Sequence, residues 1–217
     1  MLIAGIDEAG RGSCLGSLVL AVSSIEKSKE HELITLGVKD SKLLPPKERE
    51  RQEKEIKKIV GEYATNFIEA HEIDTLRNRK SLNEIEAMRI GFLLNNLKVK
   101  PDLVIVDCPD TIEENFEKRI RKYLTFNPII KSEHKADFNY PIVSAASIIA
   151  KVARDNHMKE LSKIAGINLG SGYPSDPVSV KFVEDYYARE KKLPLIARKS
   201  WDSNQKIETK FLQKKLF

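Results

Sequence analysis

The chain has only two cysteines among its 217 residues. Two thiols cannot build a disulfide scaffold or a four-ligand zinc site. Long apolar runs are also missing: stretches such as Leu18 to Val22 fall far short of the roughly 20 residues that span a bilayer. The opening Met-Leu-Ile-Ala-Gly enters a strand at once, without the basic start and small-residue cleavage site of a secretory signal, so a cytoplasmic protein with no membrane association is expected. Internal repeats and low-complexity linkers are absent. At about 150 residues per domain, the length fits one large domain, or one domain with a small appendage.

Charge, in contrast, is plentiful. Lys and Arg number 37 against 32 Asp and Glu, giving a net of +5 that hints at an anionic partner. Residues 191–217 hold eight basic residues against Asp202 and Glu208, a local net of +6, so residues 1–190 carry 29 basic and 30 acidic residues, a net of −1. The charged fraction of 32% is of the kind that suits heat-adapted proteins.

Leu2 to Ile6, Leu18 to Val22, Ala64 to Ile68, Leu103 to Val106 and Pro128 to Lys131 read as strands, being short and rich in Ile, Val, Leu and Phe. Helical periods lie between them. Ser81-Leu82-Asn83-Glu84 has capping-box spacing ahead of the apolar stripe Ile85, Met88, Phe92 and Leu93. Thr111 to Glu114 repeats the device before Ile112, Phe116, Ile120 and Leu124. Pro45 to Ile59 predicts an exposed, charge-laced helix, and Ser144 to Leu161 a long one with small residues at its start. Asp176-Pro177 marks an N-cap and first turn of a helix reaching about Glu190, and a short amphipathic helix follows Pro194. Strands interleaved with helices after a hairpin-like first pair predict an α/β domain over residues 1–165, with a helical C-terminal region and basic tail over 166–217.

The first strand runs into Gly5-Ile6-Asp7-Glu8-Ala9-Gly10-Arg11-Gly12. A dinucleotide-binding loop needs its third glycine three residues after the second, followed by a helix; here the next glycine is Gly16 and a strand follows, which excludes that reading. Two adjacent acids in a poorly solvated setting are costly unless a cation neutralises them. Because neighbouring strand residues point to opposite faces, Asp7 and Glu8 can share a metal only if the chain twists out of the sheet near Glu8. The competing reading is one buried acid paired with Lys or Arg and the other at the surface. A second apolar strand ends in Asp107, which lies beside Asp7 if the two strands are parallel neighbours; otherwise Asp107 caps the following turn. Asp137 precedes the long small-residue helix. Three or four carboxylates without histidine or cysteine form a hard oxygen site for magnesium or manganese, of the type used for two-metal phosphoryl transfer.

These segments resemble ribonuclease HII, the type 2 ribonuclease H, in its archaeal form. The likeness is carried by Gly5-Ile-Asp-Glu-Ala-Gly-Arg-Gly12, Asp40-Ser41-Lys42, the strand ending in Asp107, His134-Lys-Ala-Asp137, Ser144-Ala-Ala-Ser-Ile-Ile-Ala-Lys-Val-Ala-Arg-Asp155 and Gly170-Ser-Gly-Tyr-Pro-Ser-Asp176. The resemblance implies a ribonuclease H-like mixed sheet flanked by helices with a small helical C-terminal appendage. It implies endonucleolytic cleavage, dependent on Mg2+ or Mn2+, of the RNA strand in RNA–DNA hybrids and 5′ to single ribonucleotides in duplex DNA.

By motif, the implied catalytic metal ligands are Asp7, Glu8, Asp107 and Asp137. Gly10, Arg11 and Gly12 are implied to read the ribonucleotide 2′-hydroxyl through the main chain, Tyr173 to pack on the following sugar, and Lys42 to contact a phosphate. His134 and Lys135 are candidates for assisting the leaving group or holding a backbone phosphate, while Lys151 and Arg154 read as partners of local acids. The protein is expected to be a monomer, with a loose match over Phe211 to Phe217 for sliding-clamp contact. The chain departs from the family where Ser13-Cys14-Leu15-Gly16-Ser17 stands in place of a segment with two prolines, predicting a looser loop. Cys14 and Cys108 both fall in site segments and are expected reduced, a disulfide between them requiring Cα atoms within about 7 Å. A related metal nuclease acting on DNA, a basic nucleic-acid-binding protein with structural acids and a small-molecule phosphatase are the rival readings.

Overall fold

The computed structural model describes residues 1–38 and 44–213. In chain order the elements are β1 (Leu2–Ala9), β2 (Leu18–Glu26), a 3-10 turn (Lys27–Lys29), α1 (Glu30–Leu36), α2 (Pro46–Ile59), β3 (Glu62–Ile68), α3 (Ala70–Arg77), α4 (Leu82–Asn96), β4 (Leu103–Asp107), α5 (Glu113–Arg121), β5 (Ile129–Glu133), α6 (Ala136–Asn139), α7 (Pro141–Ala165), α8 (Pro177–Glu190) and α9 (Asp202–Gln213). Five strands form one mixed sheet in the order β3-β2-β1-β4-β5. β1 pairs antiparallel with β2 and parallel with β4, and β4 pairs parallel with β5. All five predicted strands are present, as is the hairpin-like start. Among the described residues, no helix is long and apolar enough to cross a membrane.

Residue contacts divide the chain into two compact units. The first comprises Met1–Ala9, Val19–Asn66 and Ser81–Ala153; the second comprises Gly10–Leu18, Phe67–Lys80 and Arg154–Phe217. One core of the first unit gathers Ile3, Ile25 and Ile105 from the strands with Leu33 of α1, Ile56 of α2 and Ile148 of α7. The second unit has a separate core of Leu15, Met158, Leu169, Val183, Tyr187 and Ile207.

The caps explain where several helices begin. Ser81 Oγ accepts from Glu84 N at 3.2 Å, and Asp176 Oδ1 accepts from Val178 N at 2.9 Å with Pro177 in the first turn. Two expectations fail in detail. Thr111 does not cap α5: its amide donates to Asp110 Oδ1 at 2.9 Å, and the helix starts after Ile112, which has no side-chain capping bond. Phe92 does not join the buried stripe of α4 and is 52% exposed, while Ile90 and Leu94 are buried. The buried face instead runs through Ile85, Ala87, Ile90, Gly91 and Leu94, and at Gly91 an added Cβ would lie 2.5 Å from Tyr123 Cβ.

Gly5 sets how closely β1 approaches α7. An added Cβ would sit 2.4 Å from both the carbon and the oxygen of the Ile142 carbonyl, which also accepts from Ser23 Oγ at 3.0 Å. Because main chain cannot yield as a side-chain tip does, Gly5→Ala is expected to destabilise the protein by about 3 kcal/mol. Thermal or denaturant unfolding of the variant against the parent measures this.

Candidate active site

In the first unit, the register Ile6↔Val106 between parallel β1 and β4 makes Asp7 and Asp107 the next residues of neighbouring strands. Both acids therefore lie on the same face of the sheet, the face to which Ile3 and Ile105 contribute. Asp7 is only 4% exposed. Burial first, and then the charge of Asp107, push its carboxyl up from an ordinary 3.8 to about 7. A hydrogen bond with Ser147, the charge of Lys151 and the Glu8 amide oppose that rise. The amide donates to Asp7 Oδ1 at 2.7 Å, and Lys151 Nζ donates to Ser147 Oγ at 2.7 Å one helical turn along α7. Lys151, expected to serve only local acids, is thus a cation in the field of Asp7.

Asp107 Oδ1 accepts from Ala136 N at 2.7 Å. That bond ties the start of α6 to the end of β4, and the next residue, Asp137, is buried. The Asp137 carbonyl accepts from Ser144 Oγ, anchoring this turn to α7. Lys135, at the N-cap of α6, adopts a left-handed conformation (φ 59°). His134 Nδ1 lies 3.3 Å from the Cys108 carbonyl oxygen, and its amide donates to Glu113 Oε1 at 2.8 Å. Glu8 differs from expectation. β1 does not twist away there but stays paired through Ala9, with Glu8 opposite Leu20, so alternation keeps Glu8 on the face opposite Asp7.

The structure therefore brings Asp7 and Asp107 together, brings Asp137 within one residue of an amide bound to Asp107, and leaves Glu8 across the sheet. Among the described residues, no three His, Cys, Asp or Glu side chains are grouped to hold a metal ion. The donors nevertheless fit a hard divalent cation. They are oxygens alone, and the shift of Asp7 is the signature of a buried acid pair short of positive charge.

In the second unit, the segment after β1 forms a tight, buried loop. Gly10 has φ 82°, and an added Cβ would meet Arg154 Nε at 2.1 Å, so both conformation and space demand glycine. Gly12 contrasts with it: a Cβ added there would meet no atom within 4 Å and the residue is exposed, so the fold itself does not require glycine there. Ser13 Oγ donates to the Gly10 carbonyl at 2.8 Å, and Ser17 Oγ lies 3.0 Å from His157 Nε2. Both serines are fully buried. The looseness expected from the missing prolines is thus not seen, because these hydroxyls pin the segment instead.

The Gly172 carbonyl accepts from the amides of Cys14 and Leu15 at 2.8 and 3.1 Å, and from Cys14 Sγ at 3.2 Å, lacing the loop to the segment that carries Tyr173. Arg154, expected to pair with a local acid, instead lies with its guanidinium 4.7 Å from the Tyr173 ring centroid and donates to the Ser171 carbonyl at 2.8 Å. Both cysteines are free and buried, and burial raises both thiols above their ordinary value. Lys42 lies outside the described residues.

Sequence reasoning passed over two residues. Ser147 was visible only as the i−4 neighbour of Lys151, and nothing near Arg198 announced that it would be fully buried.

Comparison with known proteins gives a consistent match. The family model for ribonuclease HII covers residues 4–204. Ribonuclease HII of Thermococcus sibiricus is 45% identical over 215 residues, covering 99% of this chain and 95% of the relative. The crystal structure of ribonuclease H2 from Pyrococcus horikoshii OT3 superposes with a TM-score of 0.91 at 40% identity, covering 98% of this chain and all of that one. A structure described as the PCNA:RNase HII complex from Archaeoglobus fulgidus gives a TM-score of 0.85 at 36% identity, covering 93% of this chain and 96% of the other. With the motifs in order along nearly its whole length and the sheet that this match requires, the chain belongs to the ribonuclease HII family.

Proposed function

We infer that this protein is a metal-dependent endoribonuclease that hydrolyses the RNA strand of RNA–DNA hybrids. It also cuts 5′ to ribonucleotides embedded in duplex DNA, leaving 5′-phosphate and 3′-hydroxyl ends. The observation that carries this reading is the pairing of buried Asp7 with half-buried Asp107 at the ends of parallel neighbouring strands. Asp7, Glu8, Asp107 and Asp137 are proposed as the ligands, Glu8 on the strength of its motif, and their hard oxygens favour Mg2+ or Mn2+. Bound there, divalent ions would activate the attacking water and stabilise the leaving oxygen.

The chain's own groups prepare the site. Lys151 and Ser147 favour the ionised form of Asp7, and the Ala136 amide fixes one oxygen of Asp107. Gly10, Arg11 and Gly12 are proposed to read the 2′-hydroxyl, which alone distinguishes RNA from DNA at one nucleotide. Tyr173, backed by Arg154, is proposed to support the next sugar, and Lys42 to contact a phosphate. We propose that the enzyme works as a cytoplasmic monomer and that residues 211–217 meet a sliding clamp. A chain lacking 212–217 is then expected to lose retention on immobilised clamp while keeping its cleavage rate on short duplexes.

Asp7→Asn is expected to abolish hydrolysis of a duplex carrying one ribonucleotide, as chelation of the metal does for the parent. The same change has a stability signature. Because the folded chain holds the Asp7 proton more tightly than the unfolded chain, Asp7 contributes stability in full below 3.8 and has lost it once the pH passes about 7. Metal-free Asp7→Asn should therefore be more stable than the metal-free parent at pH 8, by on the order of 2–4 kcal/mol, and nearly equal to it at pH 3.5. Denaturant unfolding of both proteins across that range checks the sign; a difference independent of pH contradicts it.

Gly12→Ala tests the sugar-reading loop. With open space around the added methyl, unfolding free energy should stay within about 0.5 kcal/mol of the parent. Affinity for a ribonucleotide-bearing duplex should fall about tenfold, measured by fluorescence anisotropy in chelator.

A further inference from the structure

Arg198 is the largest fully buried side chain in the described protein, with 0% exposure, yet it is a cation. Its hydrogen bonds go to main chain: Nη1 donates to the Arg11 carbonyl at 3.0 Å and Nε to the Gly16 carbonyl at 3.1 Å. The indole of Trp201 lies over its guanidinium at 4.8 Å, and Arg77 lies 5.1 Å from the same ring. Burial, then the like charge of Arg154, push the Arg198 guanidinium down to about 9. A guanidinium placed so expensively holds something that packing alone would not. The two carbonyls it grips bracket the loop, and one belongs to the middle residue of Gly10-Arg11-Gly12.

The surrounding segment reinforces that grip. Arg198 N donates to the Cys14 carbonyl at 3.0 Å, Gly16 N to the Ile196 carbonyl at 2.8 Å, and Asn204 Nδ2 to the carbonyls of Cys14 and Arg198 at 3.0 and 2.9 Å. Leu15 and Ala197 form an antiparallel bridge. Asn204 is itself fully buried. Fixing the Arg11 carbonyl fixes the peptide plane it shares with the Gly12 amide, so the guanidinium sets the orientation of that amide.

We propose that Arg198 is a positioning residue for the Gly10-Arg11-Gly12 loop, clamping the Arg11 and Gly16 carbonyls so that the loop's main chain is set to favour a ribose over a deoxyribose. This rests on the proposal that the loop reads the sugar. Lysine cannot reproduce the clamp, because an ammonium on a flexible stem does not span two carbonyls as a planar fork does.

The test compares full-length parent, Arg198→Lys, Asn204→Ala and Gly12→Ala. Affinities are measured in chelator for a duplex with one ribonucleotide and for the same duplex in all-DNA form, with thermal unfolding recorded for each variant. Arg198→Lys is expected to lose roughly tenfold of the preference for the ribonucleotide duplex, with all-DNA affinity unchanged. A merely structural role would lower the unfolding midpoint without moving that ratio in the folded fraction. If Arg198→Lys does not fold, Asn204→Ala, which loosens the same segment, carries the same expectation. An unchanged preference in the folded variant, with Gly12→Ala reduced, overturns the role of Arg198 alone. An unchanged preference in Gly12→Ala overturns the sugar-reading loop and the Arg198 proposal with it.

Discussion

A buried carboxylate held beside a half-buried one meets both desolvation and repulsion, and several parts of the first unit bear on that conflict. The parallel pairing of β1 with β4 creates it by bringing both strand ends into register. Gly5 lets α7 lie directly on β1, and α7 in turn supplies the hydroxyl of Ser147 and the ammonium of Lys151. These soften the repulsion without cancelling it, since the Asp7 carboxyl remains pushed up to about 7. A divalent charge bound there would replace a proton and remove the conflict. The pair is thus an unrelieved electrostatic cost in the fold as it stands.

Much of this was legible in the chain because the relevant signals are local. Asp7 and Asp107 each terminate a short apolar run, and the alternation of strands and helices is enough to make those runs candidates for parallel neighbours. The caps at Ser81 and Asp176 were equally readable, since a hydroxyl or carboxylate two or three residues ahead of an amide is a property of the sequence alone. Phe92 and Glu8 were not. The burial of Phe92 depends on which face of α4 meets its neighbours, and the orientation of Glu8 on whether β1 stays paired beyond Asp7. Both are decided by partners distant in sequence. The α3 and α6 helices are short enough that tertiary contacts, not propensity, determine them.

The second unit shows how misleading a charge count can be. By composition the basic C-terminal stretch resembles a mobile polycation. Instead Arg198 is interior, Lys206 and Lys210 are paired with Asp202 and Glu184, and Ile207 belongs to the core. Phe211 packs on Tyr187 with ring centroids 5.4 Å apart. The stretch is therefore part of the architecture through most of its described length, and the burial of Arg198 and the pairing of Lys210 with Glu184 leave it less free positive charge than its net of +6 suggests.

The bonds from Arg198 to the carbonyls of Arg11 and Gly16 join positions 187 and 182 residues apart, almost the full length of the chain. During synthesis, the loop that follows the first strand emerges early but cannot be clamped until Arg198 has left the ribosome. The acids of the first unit are complete by residue 137, long before that closure. A chain cut short before Arg198 would thus carry Asp7, Asp107 and Asp137 without the bonds that fix the carbonyls of Arg11 and Gly16. Closure between positions so distant in sequence makes the fixing of this loop a late event in folding.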